Sequence, residues 1–345
     1  MEISSDIKLD FSDVRLVPTF GDIDSRRLIN LIREYVTPIS NKKLEGIGII
    51  AANMDGVGTF AVCDALAQNA CFTALIKSYS EEELINYFNS NKIGVPYAFY
   101  TLGSSESDFQ KLLNVSKKAP IDKICYDQAN GYLNSFYDNI LKLRTNFPDA
   151  IIMAGNVVTP EAVLRAYENG LDIMKIGISQ GSVCLTSHAT GIGYPQLSCI
   201  LDIKQAIKEC KILLCSDGGC KTSGDMSIAF SAGADFVMSG GMLAGTTEGG
   251  GDLIDGKIQF YGMSSKTANE KHFGGLQDYR SSEGRTVLIP HKGKMDDVIK
   301  NILGGIRSTC TYFGAKNTAE LSIKAKAIRV NSSINRSFEN HTIGN

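Results

Sequence analysis

A thiol and a hydroxyl two residues apart are the first groups on this chain whose types and spacing suggest chemistry. Cys184 and Thr186 lie in the stretch from Lys175 to Tyr194, KIGISQGSVCLTSHATGIGY, where a short apolar run gives way to glycines and small hydroxyl residues. A cysteine on a loop that folds tightly around a ligand, with a hydroxyl beside it, is what covalent catalysis on an electrophilic carbon needs. Most free cysteines are instead small buried hydrophobes, so the spacing alone leaves both readings open. A second set of groups lies further along, at Cys215-Ser216-Asp217-Gly218-Gly219 and Ser239-Gly240-Gly241. Paired glycines at strand ends let backbone N–H groups converge on an anion. Either pair alone could be a tight turn, but the two together imply a phosphorylated ligand. Asp217, between strand end and glycines, can accept hydrogen bonds from sugar hydroxyls. A nucleotide would satisfy both features.

The elements that must position these groups follow from a repeat. Short apolar runs recur at residues 46–50, 72–76, 97–100, 123–126, 150–153, 172–176, 212–215 and 236–238. Most successive starts lie roughly 25 residues apart, the length of one strand and one return helix. Helix signals fill the intervals: Ser80 with Glu83 has capping-box spacing, Thr159-Pro160 offers a cap followed by proline at the first helical position, and 222–232 ends at Gly233. Eight strands apolar on consecutive residues, each followed by a helix, predict an α/β fold, a (β/α)8 TIM barrel. An open doubly wound sheet would carry a glycine-rich turn after its first strand, where Ala51-Ala52-Asn53-Met54-Asp55 stands instead.

Two breaks in the rhythm mark functional loops. The spacing between the sixth and seventh runs grows to about 39 residues, and the excess is the Cys184 loop. After the eighth run, residues 246–290 form an insertion with a hairpin signal at Asp255-Gly256 and read as a flap. Both follow strand carboxyl ends, the face on which barrel active sites sit. The whole of 1–345 reads as one barrel domain, with an extended lead-in over 1–45, a closing helix over 294–313 and a polar tail over 330–345. Acidic and basic residues nearly balance at a net charge of −2, with no basic block, which argues against nucleic acid or an anionic membrane as partner. The stretch MEISSDIKLDF has charges where a secretory signal would need an apolar core, no apolar run approaches membrane-spanning length, and nine scattered cysteines without a C-x-x-C pair fit free thiols, so a reducing, cytoplasmic setting is expected.

Several motifs in order along the chain resemble the GMP reductases of the IMP dehydrogenase/GMP reductase family: AANMD (51–55), GNVVT (155–159), GSVC (181–184), TGIGYPQLS (190–198), SDGGC (216–220), GGMLAG (240–245), FYGMSS (260–265), YRSSEGRTV (279–287) and CTYFGA (310–315). The resemblance implies reductive deamination of GMP to IMP with NADPH. Cys184 would attack purine C2, with Thr186 and Glu283 delivering a proton to the departing amine. It implies nucleotide contacts from Asp217, Gly218, Gly219, Gly240, Gly241, Gly262, Met263 and Ser264, and from the flap residues Arg280, Ser281, Ser282 and Gly284. Cofactor contacts would come from Lys77, Asp127, Gln128, Ala129, Ile178 and Ser179, and from Ser308, Thr309, Cys310 and Thr311 of a neighbouring subunit in a homotetramer. It also implies a monovalent cation, usually potassium, on backbone carbonyls of the cysteine loop at Ser179, Gly181 and Cys184. Read without the resemblance, Lys77 and Glu283 would pass as solvated charges, and His188 as a hydrogen-bonded bystander.

The departures cluster beside the thiol. Where the family carries GIGPGSVCTTR, this chain reads GISQGSVCLTSH: Ser179 replaces glycine, Gln180 proline, Leu185 threonine and Ser187 arginine. A residue with a side chain at 179 is expected to resist a backbone conformation that glycine adopts freely, which would disturb the cation site. Gln128 stands where an apolar residue is expected. Two alternatives follow: the same scaffold acting on a modified or deoxy guanine nucleotide, and a purine-nucleotide-binding protein with impaired catalysis.

Overall fold

The structure is a computed structural model that describes residues 1, 3–275, 277–279 and 281–330. An amino-terminal stretch contributes β1 (Val14–Val17) and β2 (Arg33–Val36). The repeat opens with β3 (Lys43–Ala51), α1 (Phe60–Ala67), β4 (Cys71–Ala74), α2 (Glu81–Phe88), β5 (Ala98–Leu102), α3 (Glu106–Ser116), β6 (Lys123–Asp127) and α4 (Asn134–Asn146). It continues through β7 (Ile151–Val157), α5 (Pro160–Glu168), β8 (Ile173–Ile176), α6 (Thr186–Thr190), α7 (Gln196–Ala206), β9 (Leu213–Asp217), α8 (Ser223–Ser231) and β10 (Phe236–Ser239). Beyond it lie β11 (Leu253–Ile254), β12 (Lys257–Tyr261), α9 (Lys266–Phe273), β13 (Thr286–Pro290), α10 (Met295–Tyr312), α11 (Thr318–Lys324) and β14 (Lys326–Arg329).

Strands β3 to β10 pair in parallel in chain order. Strand β10 then pairs back onto β3, with Val237 opposite Ile49 and Met238 opposite Ile50, which closes the eight-stranded barrel the apolar runs predict. Every residue of β4, β8 and β10 is buried, because one face fills the barrel and the other carries helices. The capping signals act locally. Ser80 and Glu83 form a reciprocal capping box at α2, and Thr222 and Asp225 do so at α8. Thr159 differs from expectation: it occupies the N-cap of α5 ahead of Pro160, but its side chain makes no capping bond.

The amino-terminal mouth of the barrel is plugged. Strand β2 runs antiparallel to the first residues of β3, and Tyr35 stacks on Phe236 with ring centroids 4.3 Å apart. Arg33 lies over the Tyr35 ring and 3.3 Å from Asp235, which precedes β10. The open end is therefore the carboxyl end, where the loops gather.

The flap is more structured than a loop. The hairpin at Asp255-Gly256, both with positive φ (48° and 73°), joins β11 to β12, and β13 adds antiparallel to β12. Asp55, after β3, anchors this sheet by accepting from Tyr261 Oη at 2.6 Å and facing His272 Nε2 at 2.6 Å. The lead-in segment also holds more than extended chain. Strand β1 pairs antiparallel with β14, Val14 opposite Arg329, and just before it Phe11 packs against the loop after β9. The polar tail from residue 331 onward lies outside the described residues. No helix among the described residues is long and apolar enough to cross a membrane.

Candidate active site

A cleft of about 830 Å³ opens at the carboxyl ends of the barrel strands. Its walls are Asp127 at the end of β6, Asn156 on β7, residues 177–184 after β8, 217–221 from the last residue of β9, 239–241 from the last residue of β10, and the flap residues Phe260, Gly262, Met263, Ser264, Glu283 and Gly284. That volume lies within the range of small-molecule sites, about 300–1,000 Å³.

The thiol is presented by a turn. Cys184 N donates to Gly181 O at 3.0 Å, and the partly exposed Sγ lies 3.2 Å from Thr186 Oγ1. The flap lies directly on this turn. Leu185 N donates to Glu283 O at 2.7 Å and Arg285 N to Val183 O at 2.9 Å, forming a one-residue antiparallel bridge between Cys184 and Gly284. The Arg285 guanidinium adds bonds of 2.8 and 3.1 Å to Ser182 O. Glycines permit the approach: a Cβ on Gly262 would stand 2.9 Å from Val183 O, and one on Gly284 2.9 Å from Ser265 N. Cys184 and Thr186 thus meet Glu283, from a distant part of the sequence, on one rim.

The glycine pairs behave differently from one another. Gly219 N donates to Gln180 O at 3.0 Å and Gly218 N reaches Met238 O at 3.4 Å, so the cysteine loop and β10 occupy N–H groups that the sequence offers to an anion. Gly240 and Gly241 have no such backbone acceptor among the described residues. Ser182 Oγ adjoins them, 2.6 Å from where a Cβ on Gly241 would be. Gly240, Gly241 and Ser182 thus stand together on one wall of the cleft.

Beneath the cleft runs a buried charge network that the sequence motifs did not announce. Lys175, with 1 % of its side chain exposed, lies 2.7 Å from Asp127 Oδ1 and 3.4 Å from Asp217 Oδ2. Asn156 Nδ2 donates to the same Asp217 oxygen at 2.9 Å and to Gly177 O at 2.8 Å, while Lys77 approaches Asp127 Oδ2 at 3.2 Å. Burial works against charge on Asp127, but Lys175 and Lys77 outweigh it and hold its carboxyl well below the usual carboxylate range. Burial likewise opposes charge on Lys175, and the two aspartates outweigh it and raise its pKa well above that of an ordinary lysine. Both contacts to Asp217 fall on Oδ2, which leaves Oδ1 for a ligand hydroxyl. The signal was a lysine inside the apolar run Ile173-Met174-Lys175-Ile176.

The remaining expected residues divide. Ala129, Ile178, Ser179 and Gly181 line the cleft with those above. Gln128 lies beside Asp127, its Oε1 accepting from Tyr126 Oη, so the unexpected polar side chain is satisfied within the chain. Ser282 Oγ donates to Gly284 O at 2.8 Å and shapes the flap turn, Ser281 is exposed, and Arg280 lies outside the described residues. Ser308, Thr309 and Thr311 sit on α10, outside this cleft. Cys310, between them, has a buried side chain. It continues the buried face Ile299, Ile302, Leu303, Ile306, whose spacing turns it into the core. Ser179 corrects an expectation: despite its Cβ it takes the left-handed conformation, φ 69°, that was reserved for glycine. His188 is exposed.

Six of the other thiols are buried, and burial pushes Cys63 up to about 11 and Cys125, Cys199 and Cys310 up to about 12; Cys210 and Cys220 are partly exposed. No group of three or more His, Cys, Asp or Glu side chains that could hold a metal ion occurs among the described residues.

Comparison with known proteins agrees with this geometry. The family model for the IMP dehydrogenase / GMP reductase domain matches residues 8–341. GMP reductase 2 of Homo sapiens is 46 % identical over 341 residues, covering 97 % of this chain and 98 % of that protein. GMP reductase of Vibrio campbellii is 44 % identical over 346 residues, covering 98 % and 99 %, and GMP reductase 1 of Mus musculus is 44 % identical over 341 residues, covering 97 % and 99 %. With a closed barrel, a cysteine turn under a flap and a match along nearly its whole length, the chain belongs to the IMP dehydrogenase / GMP reductase family.

Proposed function

We propose that the protein is an oxidoreductase, a GMP reductase that converts GMP, NADPH and a proton to IMP, NADP⁺ and ammonia. The observation that carries this reading is the Cys184–Thr186 pair, 3.2 Å apart, on the rim of the cleft and roofed by Glu283. The Cys184 thiolate would form a bond to purine C2. Thr186 and Glu283 would pass a proton to the exocyclic amine, which leaves as ammonia and gives a cysteine thioimidate. Proton delivery by positioned groups contributes about 10² to 10⁴ in rate. NADPH, when bound, would supply a hydride for C2, and Cys184 would leave as the thiolate with the carbon–sulfur electron pair, freeing IMP.

This chain's own residues account for the binding. Asp217 Oδ1 would accept from the ribose hydroxyls, and the N–H groups of Gly240 and Gly241, with Ser182, would receive the phosphate. Asp127 and Ala129, together with Ile178, would bound the cofactor side of the cleft, with Lys77 behind Asp127. Ser308 to Thr311 would contribute only across a subunit boundary, which makes a homotetramer part of the proposal. The left-handed backbone at Ser179 is compatible with a monovalent cation, potassium in the simplest case, on the carbonyls of Ser179, Gly181 and Cys184. Residues 1–345 would act as one barrel domain, with 246–290 as its flap.

The test is direct. Incubation with GMP and NADPH should consume absorbance at 340 nm and release ammonia in equal amount, and Cys184→Ala should do neither. A Cys184→Ala protein as active as the parent would end the covalent reading.

A further inference from the structure

We propose that Ser179 is a positioning residue for the Cys184–Thr186 pair, acting as a helix cap supplied from outside the helix. Its catalytic arm rests on the covalent reading above; its structural arm does not.

Helix α6 starts immediately after the cysteine turn, and Thr186 is its first residue. Its N-cap position is occupied by Leu185, which has no side-chain acceptor and makes no capping bond. A helix start leaves N–H groups without partners, and five residues are too few to hold a helix unaided. Ser187 is the second residue of α6, and its N–H donates to Ser179 Oγ at 2.8 Å. That is the bond an N-cap hydroxyl normally accepts. Here it comes from eight positions upstream.

The backbone at Ser179 is arranged for this contact. Its φ of 69° is uncommon for a residue with a Cβ, and of the four described non-glycine residues with positive φ it is the one that lines the cleft. The return stretch closes over the pair: a Cβ on Gly193 would meet Ser179 Cβ at 3.3 Å and Ser187 Cβ at 3.4 Å. Gln180 Nε2 then fastens Tyr194 O at 2.5 Å. Two of the four departures beside the thiol, at 179 and 185, become one substitution in physical terms. Relative to GIGPGSVCTTR, a hydroxyl is lost at the N-cap, position 185, and one is gained at 179, where it reaches the amide of residue 187.

Three variants of the full chain test this: Ser179→Gly, Ser179→Ala, and Ser179→Gly combined with Leu185→Thr. Amide hydrogen exchange over 186–190 should accelerate about fivefold in Ser179→Gly, the size of one lost cap, and return to the parent rate when threonine at 185 restores a local cap. Turnover of GMP should fall about tenfold in kcat through misplacement of Thr186, with KM for GMP within about twofold, and should recover in the double variant. Ser179→Ala should be worse than Ser179→Gly, since it keeps the left-handed strain and loses the bond. Unchanged exchange in Ser179→Gly, or no recovery with Leu185→Thr, overturns the cap. Accelerated exchange with an unchanged kcat overturns the positioning role. If the parent does not turn over GMP, the functional reading fails separately and the exchange measurement still decides the cap.

Discussion

Lys175 and Asp127 form a 2.7 Å ion pair beneath the cleft, with the lysine side chain 1 % exposed. Asp127 has its pKa lowered, so it takes up a proton less readily folded than unfolded. Its contribution to stability is present above the ordinary carboxylate value of about 4 and is lost as pH falls below it. Lys175 has its pKa raised, so its contribution is present below about 10.4 and is lost as pH rises through the folded value. Lys175→Met leaves two carboxylates without their shared cation and should destabilise by about 3 kcal/mol at neutral pH. Urea unfolding from pH 2 to 10 should show a weaker acid-side loss in the variant, because Asp127 without its cation takes up a proton more readily in the folded state. An identical acid limb in both proteins would contradict the network.

Burial raises the pKa of each of the other eight thiols, and of the three partly exposed cysteines, Cys184, Cys210 and Cys220, Cys184 is the one beside a hydroxyl, Thr186 Oγ1, on the cleft rim. Since the thiolate is the reactive form, iodoacetamide at neutral pH should label Cys184 first. Peptide mass mapping after partial reaction checks this, and IMP should slow the labelling. Faster labelling at any other cysteine would contradict the assignment of the reactive group.

Thr186→Ala and Glu283→Gln should each lower kcat for GMP by about 10² or more with small changes in KM, as expected when proton delivery is lost and binding is not. Combining them should cost less than the product of the two if they serve one proton path. Initial-rate kinetics at saturating NADPH separate these outcomes. Full multiplicativity would assign the two residues to separate steps.

Gly241→Ala would bring a Cβ to 2.6 Å from Ser182 Oγ, inside the proposed phosphate cradle. Affinity for GMP should fall at least about tenfold, a loss of about 1.4 kcal/mol. Guanosine, which lacks the phosphate, should bind parent and variant alike. Calorimetric titration with both ligands tests the placement, and an equal loss for guanosine would move the phosphate elsewhere.

Much of this was legible in the chain itself, because barrel strands buried on both faces leave long apolar runs at a regular interval. The cysteine loop and the flap showed as breaks in that interval. Other features had no local signature. The β1–β14 pairing joins segments over three hundred residues apart, Val14 with Arg329, and the register of such a pair is set by what both pack against. Helix α6 is five residues with a leucine at its cap, so the rules for helix starts pass over it. The loss of Gly219 N–H to Gln180 O depends on two loops meeting in space. Cys310 shows the opposite case: its helical spacing with Ile299, Ile302, Leu303 and Ile306 is readable as core from the sequence.

The seam between β1 and β14 carries a consequence for the far side of the molecule. Asp10 Oδ1 accepts from Gln196 N at 2.7 Å, and Phe11 stands 3.2 Å from the place a Cβ would take on Gly219. The last described strand therefore braces, through the first, the floor of the cleft. A protease nick between α11 and β14 would leave the barrel standing and loosen its grip on ligand, so handling at one extremity of the polypeptide would be felt as weakened retention at the other.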